Sequence, residues 1–449
     1  MSQTRSILSQ PAFSLLSSTL CVFVLTLGCS DAADPGASSA KPAPTAMPAT
    51  SATPPPSGPP EAPADLELAL ALGLASFEGA TPLPARMEFV VREGGEWKVF
   101  ASSDEASDVF HKVMHYDHDG VASILTVAGA PVGKTALVKL WKPGPDGLEA
   151  TTLWEQDFGG KRSRMRDVEV ADVYGDGRET LAVATHDQGI VATLRPDGAG
   201  GFEVAELDRE PSTFVHEIEI GDVNGDGTLE IYATPSEPNK LDGSDQSGQV
   251  VRYVPKDGEG RVVVADLGTR HAKEILVEDV DGDGTDELYV IVEGKLVKGS
   301  KTELEHGIEI RRYEAGTDPK AGAVIATIPD RLCRFGTVGD IEGDGKLEMV
   351  IASFSQGVWL ARPGDDPNQP WDVQSIDRDS GGFEHAALLT DLDGDGRDEL
   401  YVASDKHKQL RRYVWTGKEL ERETIYDRTD GKAVFTWNIM PVPRDLVPR

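Results

Sequence analysis

Residues 278–287 read EDVDGDGTDE, and four other segments repeat the pattern: ADVYGDGRET (171–180), GDVNGDGTLE (221–230), GDIEGDGKLE (339–348) and TDLDGDGRDE (390–399). Their leading acids are Asp172, Asp222, Asp279, Asp340 and Asp391, and a decayed sixth copy, HYDHDGVAS from His115, keeps Asp117, Asp119 and Gly120. Counted from His115, the copies fall 57, 50, 57, 61 and 51 residues apart. A period of that size accommodates four strands of ordinary length with their turns.

Each copy stands between two strand signals. Alternating runs such as VHEIEIGD and EILVEDV precede it, and short apolar runs rich in Val, Ile and Tyr (ELYVIV, EIYAT, EMVIAS, ELYVAS) follow it. Each unit then holds another strand pair, as in QLRRYVWTG followed by ELERETIYD, joined by a Gly-containing turn. A four-stranded sheet with two apolar faces is covered on both sides by radial repetition. AVFTWNIMPV (433–442) reads as a first strand without its loop, and RMEFVV and EWKVFA, within 86–101, read as third and fourth strands without a first. The expected fold is all-β: a seven-bladed β-propeller of four-stranded antiparallel blades closed by both termini, with six blades the alternative.

The acidic loops have the chemistry of a calcium site. Calcium takes six to eight oxygens from carboxylates, carbonyls and water, and glycines at the fourth and sixth loop positions let the chain fold around the ion. Two loops are complete at positions 1, 3, 5 and 9: Asp279, Asp281, Asp283 and Glu287, and Asp391, Asp393, Asp395 and Glu399. A third offers Asp340, Glu342, Asp344 and Glu348, and a fourth Asp222, Asn224, Asp226 and Glu230. Position 7 lends a main-chain carbonyl, from Thr228, Thr285, Lys346 or Arg397. The loop at Asp172 keeps only Asp172 and Asp176, with Tyr174 and Thr180 at the third and ninth places, so it binds more weakly or not at all. Four or five Ca²⁺ ions are expected. An EF-hand is excluded because position 12 is Val183, Ala233, Val290, Ile351 or Val402 rather than a bidentate Glu between helices. Carboxylates this crowded are poorly ionised without a cation between them.

On these loops, and on Arg334-Phe335-Gly336-Thr337-Val338-Gly339-Asp340, the chain from about 110 to 449 resembles the FG-GAP or VCBS repeat proteins, whose relatives include the integrin α-subunit propellers. The resemblance implies a propeller that carries calcium. It implies little about activity, because such repeats occur in adhesion modules, carbohydrate-binding modules and a few enzymes.

The rest of the 449 residues bounds the function. With 76 Asp plus Glu against 44 Lys plus Arg the net charge is −32, which excludes a nucleic-acid partner and favours a basic partner or a cation-rich surface. The 47 glycines and 29 prolines argue against a helical bundle, and three cysteines supply no disulfide framework. Residues 1–28 read as a signal peptide, with Arg5, an apolar stretch from Phe13 to Leu27, and Gly28 before Cys29. Leu25-Thr26-Leu27-Gly28-Cys29 resembles a bacterial lipoprotein signal, with Cys29 the lipid-bearing residue and Ser30 behind it the mark of outer-membrane sorting, so the membrane is reached only through the lipid. Ordinary secretion or an uncleaved anchor is the alternative. Residues 29–64, rich in Pro, Ala and Ser, form a tether, and 65–449 form the propeller.

No catalytic constellation is evident. His111, His115 and His118 read as drifted loop sequence and Cys333 as a small buried hydrophobe. Six residues before each leading Asp stand Arg166, His216, Lys273, Arg334 and His385, expected to ring the channel mouth opposite the acidic loops and to hold an anionic ligand, or else to pair with neighbours such as Asp167, Glu217, Glu274 and Glu384. Two long loops, 236–249 and 293–307, lie on that same face. The expected function is a lipid-anchored envelope module that binds a protein or glycan; the alternative is a propeller lyase or hydrolase acting on polysaccharide.

Overall fold

The alternating and continuous apolar runs do form strands, and in the computed structural model they build seven antiparallel blades of four strands among the described residues, one of them extended by the two-residue strand Thr81–Pro82. The structure describes residues 63–448 except 80, 132, 133, 146, 161, 200, 241 and 430, all within the compact unit 55–449. The signal segment, Cys29 and the tether as far as residue 62 lie outside the described residues.

Blade 1 joins the two ends of the described chain. Its inner strand is Ala433–Pro443, followed outward by Leu68–Glu78, Ala85–Glu93 and Glu96–Asp104. Blades 2 to 7 run outward in chain order from inner strands Val109–His118, Met165–Ala171, Phe214–Gly221, Ala272–Glu278, Cys333–Gly339 and Ala387–Thr390. Sequence patterning had supplied the first, third and fourth strands of blade 1 but not the second. That strand, LALALGLASFE, is apolar on both sides because it is covered on both: Leu70, Leu72 and Leu74 pack on blade 7 with Tyr401 and Ala403, while Ala69 and Ala71 pack on blade 2 with Phe110 and Val113.

The second strands carry most of the burial. Thr180–Thr185, Glu287–Val292, Glu348–Ser353 and Glu399–Ser404 are buried at every position, whereas outer strands such as Phe202–Arg209 are largely exposed. The hydrophobic core is accordingly a set of wedges between successive blades. Each fully buried Leu, Val or Ile contributes about 1.5–3 kcal/mol.

Near its start, each inner strand of blades 1 to 6 slips in register against its second strand, at Trp437, His111, Arg166, His216–Glu217, Lys273 and Arg334–Phe335. Such β-bulges bend a strand and re-aim its side chains. Main-chain donors beside them are taken by the preceding blade: Val113 N–H by Asn438 Oδ1 (2.8 Å), Ile218 N–H by Asp167 Oδ2 (2.9 Å) and Gly336 N–H by Glu274 Oε1 (3.0 Å).

Candidate functional site

Each acidic loop is organised by its leading Asp. Asp279 accepts from the main-chain N–H of Asp283 (3.0 Å) and Gly284 (2.9 Å), and Asp391 accepts from Asp395 (3.0 Å) and Gly396 (3.0 Å). Asp172, Asp222 and Asp340 accept in the same way from their fifth and sixth residues. The fifth residue in turn accepts from the N–H of the seventh, at Thr228 (2.8 Å), Thr285 (2.9 Å), Lys346 (3.0 Å) and Arg397 (3.0 Å). The turn requires left-handed backbone at the fourth and sixth places, where Gly282 and Gly284 have φ of 73° and 92°.

This turn gathers carboxylates. Ligand oxygens of Asp279, Asp281, Asp283 and Glu287 lie within 4.8 Å of one another, and so do those of Asp391, Asp393 and Asp395, so both sets are placed to hold a metal ion. Asp393 adds an independent sign, because its Oδ1 is buried without a hydrogen-bond partner. Burial pushes the ninth-position acids up, Glu287 and Glu348 to about 7 and Glu399 to about 8. A cation beside them would restore the ionised form.

The third strands contribute a partner that sequence reasoning missed. Arg312 sets one guanidinium nitrogen on Asp281 Oδ2 (2.7 Å) and Glu287 Oε1 (2.9 Å). Arg412 does the same to Asp393 Oδ2 (2.7 Å) and Glu399 Oε1 (2.6 Å), and Arg252 reaches Glu230 Oε1 (2.9 Å). The phenols of Tyr232, Tyr289 and Tyr401 donate to the other oxygen of the same glutamates. The signal was available, since each Arg lies opposite that Tyr in the register. In blade 6, Glu342 turns to Arg362 (2.9 Å), which draws the longer arm toward the third strand.

The remaining loops differ. Asp176 is engaged by both Arg178 and Arg195, and Tyr174 bonds Thr193, so the loop at Asp172 has cationic side chains on its second acid. At the decayed copy, Asp119 and Gly120, with φ of 52° and 72°, make a two-residue hairpin turn rather than a nine-residue loop. His111, His115 and His118 do not converge: His111 Nδ1 bonds Met165 O (2.6 Å), His115 pairs with Asp117, and His118 stacks on Phe202. Cys333 is buried, and burial raises its thiol.

At the opposite end of the inner strands the expected ring is brought together in part. Burial, and after it Lys273, His186, Arg166 and Arg334 acting electrostatically, pushes the His216 imidazole well below its ordinary value. Arg166 covers Trp437, its guanidinium carbon 4.8 Å from the ring centre. Lys273 lies 3.6 Å from Glu293, and Arg334 pairs with Glu384, the neighbour pairing that sequence had allowed. His385 departs from the ring: with φ 55° it turns between blades 6 and 7, bonding Ser353 O (2.7 Å) and Ser380 Oγ (2.7 Å). The two long loops pack together here, Lys295 Nζ meeting Asp245 Oδ1 at 2.7 Å, and residues 295–306 add a small hairpin.

Comparison with known proteins agrees with this architecture. A family model described as FG-GAP-like repeat matches residues 340–402, the stretch holding the loops at Asp340 and Asp391. None of the curated proteins matches the chain. A crystal structure of a protein from Lactobacillus plantarum is similar in fold at 10% identity and a TM-score of 0.52, covering 84% of this chain and 99% of its own. The chain is thus a seven-bladed β-propeller that carries an FG-GAP-like repeat.

Proposed function

We propose that this propeller is a calcium-braced binding module, displayed in the cell envelope by a lipid on Cys29 and presenting the face opposite its metal loops to an extracellular protein or glycan. The observation that carries the bracing is the convergence of Asp279, Asp281, Asp283 and Glu287 within 4.8 Å, repeated at Asp391, Asp393 and Asp395. Hard oxygen donors of this kind suit Ca²⁺. The loops at Asp222 and Asp340 complete a set of four, and the loop at Asp172 is the weakest. An ion bound only by the folded chain stabilises it by mass action, about 2.7 kcal/mol per site at a hundredfold excess over Kd. Calorimetric titration of the chelator-stripped protein with CaCl₂ tests the reading; heat corresponding to about four ions supports it, and the absence of binding at millimolar Ca²⁺ rejects it.

A second reading, a lyase or hydrolase acting on polysaccharide, has one observation in its favour. His271 Nε2 and Lys273 Nζ converge on Glu293 Oε2, at 3.0 and 3.6 Å, beside the paired long loops. An acid beside a base at a cleft is the minimum that such chemistry needs. Release of reducing ends from acidic or neutral polysaccharides, lost in Glu293→Gln, is the measurement that would establish it.

A further inference from the structure

We propose that the channel mouth is a receptor for one carboxylate of an acidic saccharide, with Arg166 as the group that takes the carboxylate. The inference rests on the binding-module reading above and names the ligand class of that face.

Charge comes first. Of the three cations at the bulges, Lys273 is matched by Glu293 and Arg334 by Glu384, whereas Arg166 has no ion pair or hydrogen bond among the described residues. Arg166 is only 4% exposed, and its Nε lacks a partner. His216, 1% exposed, has neither ring nitrogen hydrogen-bonded, though it lies within the influence of Arg166, Lys273 and Arg334. Buried polar groups are rarely left so, and a buried guanidinium without an anion is costly. Glu217 and Glu274 act on Arg166 only from beyond ion-pair distance, which leaves its guanidinium fork free for a planar carboxylate that it can bind in two places.

The surroundings favour a sugar as its carrier. Around the ring, burial pushes Glu274 up to about 8 and raises Glu217 well above its ordinary value, and carboxyls of this kind can hydrogen-bond hydroxyl groups. Beside it runs an aromatic row, Phe354, Phe383, Phe435 and Phe77, in edge contact at 6.3, 6.1 and 5.8 Å, with Arg334 over Phe383. A hollow of about 430 Å³ lies against the first three of these rings. Aromatic faces pack well on the C–H faces of a pyranose, as they do on other apolar surfaces. A smaller cavity of about 40 Å³, between the long loops, is lined by Lys273 and Glu293.

The test is calorimetric titration of the calcium-loaded full chain with trigalacturonate, galactotriose as the neutral twin, inorganic phosphate, and a short peptide with a free C-terminus. The expected result is saturable binding of trigalacturonate at least tenfold tighter than of the other three, reduced at least tenfold in Arg166→Gln. In the unmodified protein, the His216 imidazole NMR resonances should shift with trigalacturonate and not with galactotriose, which keeps the question answerable if the variant does not fold. Equal binding of the neutral sugar, tighter binding of phosphate or peptide, no binding of trigalacturonate, or an unaltered Arg166→Gln overturns the proposal. Calcium content and melting temperature measured on the same samples report on the bracing separately, so that failure of the ligand class is distinguishable from failure of the module.

Discussion

Asp286 Oδ2 accepts the main-chain N–H of Asp222 at 2.8 Å, so the eighth residue of one acidic loop holds the first residue of the loop in the preceding blade. The same link recurs where Asp398 Oδ2 accepts from Asp340 N–H at 2.7 Å, and there Asp398 N–H returns a bond to Asp340 O at 2.9 Å. Gly221 and Gly339, just before those leading acids, leave room for the clasp: a Cβ on Gly221 would stand 2.8 Å from Asp286 Oδ2, and one on Gly339 would run into Asp398. The loops at Asp279 and Asp391 each hold their neighbour, and the pairs formed are blades 4 with 5 and 6 with 7.

Removing the clasp should therefore act across blades. Asp286→Ala is expected to cost about 1–2 kcal/mol and to weaken Ca²⁺ at the Asp222 loop more than at its own. Asp398→Ala should do the same to the Asp340 loop. Urea melts and site-resolved titration of Asp222→Ala and Asp286→Ala singly and together check this; additive effects on Ca²⁺ would show the loops to be independent.

Arg412 neutralises two buried acids of the Asp391 loop, Asp393 and Glu399. Arg412→Met leaves them uncompensated and should destabilise the chelator-treated protein by about 3–5 kcal/mol. Saturating Ca²⁺ should recover most of that loss, because the ion supplies the missing charge. An equal loss with and without Ca²⁺ would mean that the arginine serves packing alone.

Glu274 gives a dependence on pH. Its ordinary value is 4.5 and burial in the channel raises it to about 8. Between those values the unfolded chain has released the proton while the folded one keeps it, so stability from this group falls as pH rises from about 4.5 to about 8 and is level outside that window. Glu274→Gln should flatten the decline in melting temperature across that range, measured with the metal content held constant.

The repeat and the turn geometry of the acidic loops were legible because both are local. Asp391 to Glu399 carries its own turn, and the runs on either side carry their own period. The channel mouth was legible only halfway. The six-residue offset found Arg166, His216, Lys273 and Arg334, but whether a side chain at that offset faces the channel depends on the bulge, and His385, at positive φ before a shorter inner strand, turns away instead. Leu68–Glu78 was missed because a strand buried on both faces loses the alternation that marks strands. Arg312 and Arg412 were missed because a charged residue on a third strand reads as solvent-facing until its register places it over Asp281 or Asp393.

Thermal unfolding of the chelator-stripped protein against added Ca²⁺ puts the metal-braced propeller at risk in one experiment. A melting temperature that climbs steadily with Ca²⁺, by an amount that Asp279→Asn combined with Asp391→Asn sharply reduces, is the expected result. A curve that ignores millimolar Ca²⁺, or a rise that survives both substitutions unchanged, would contradict it.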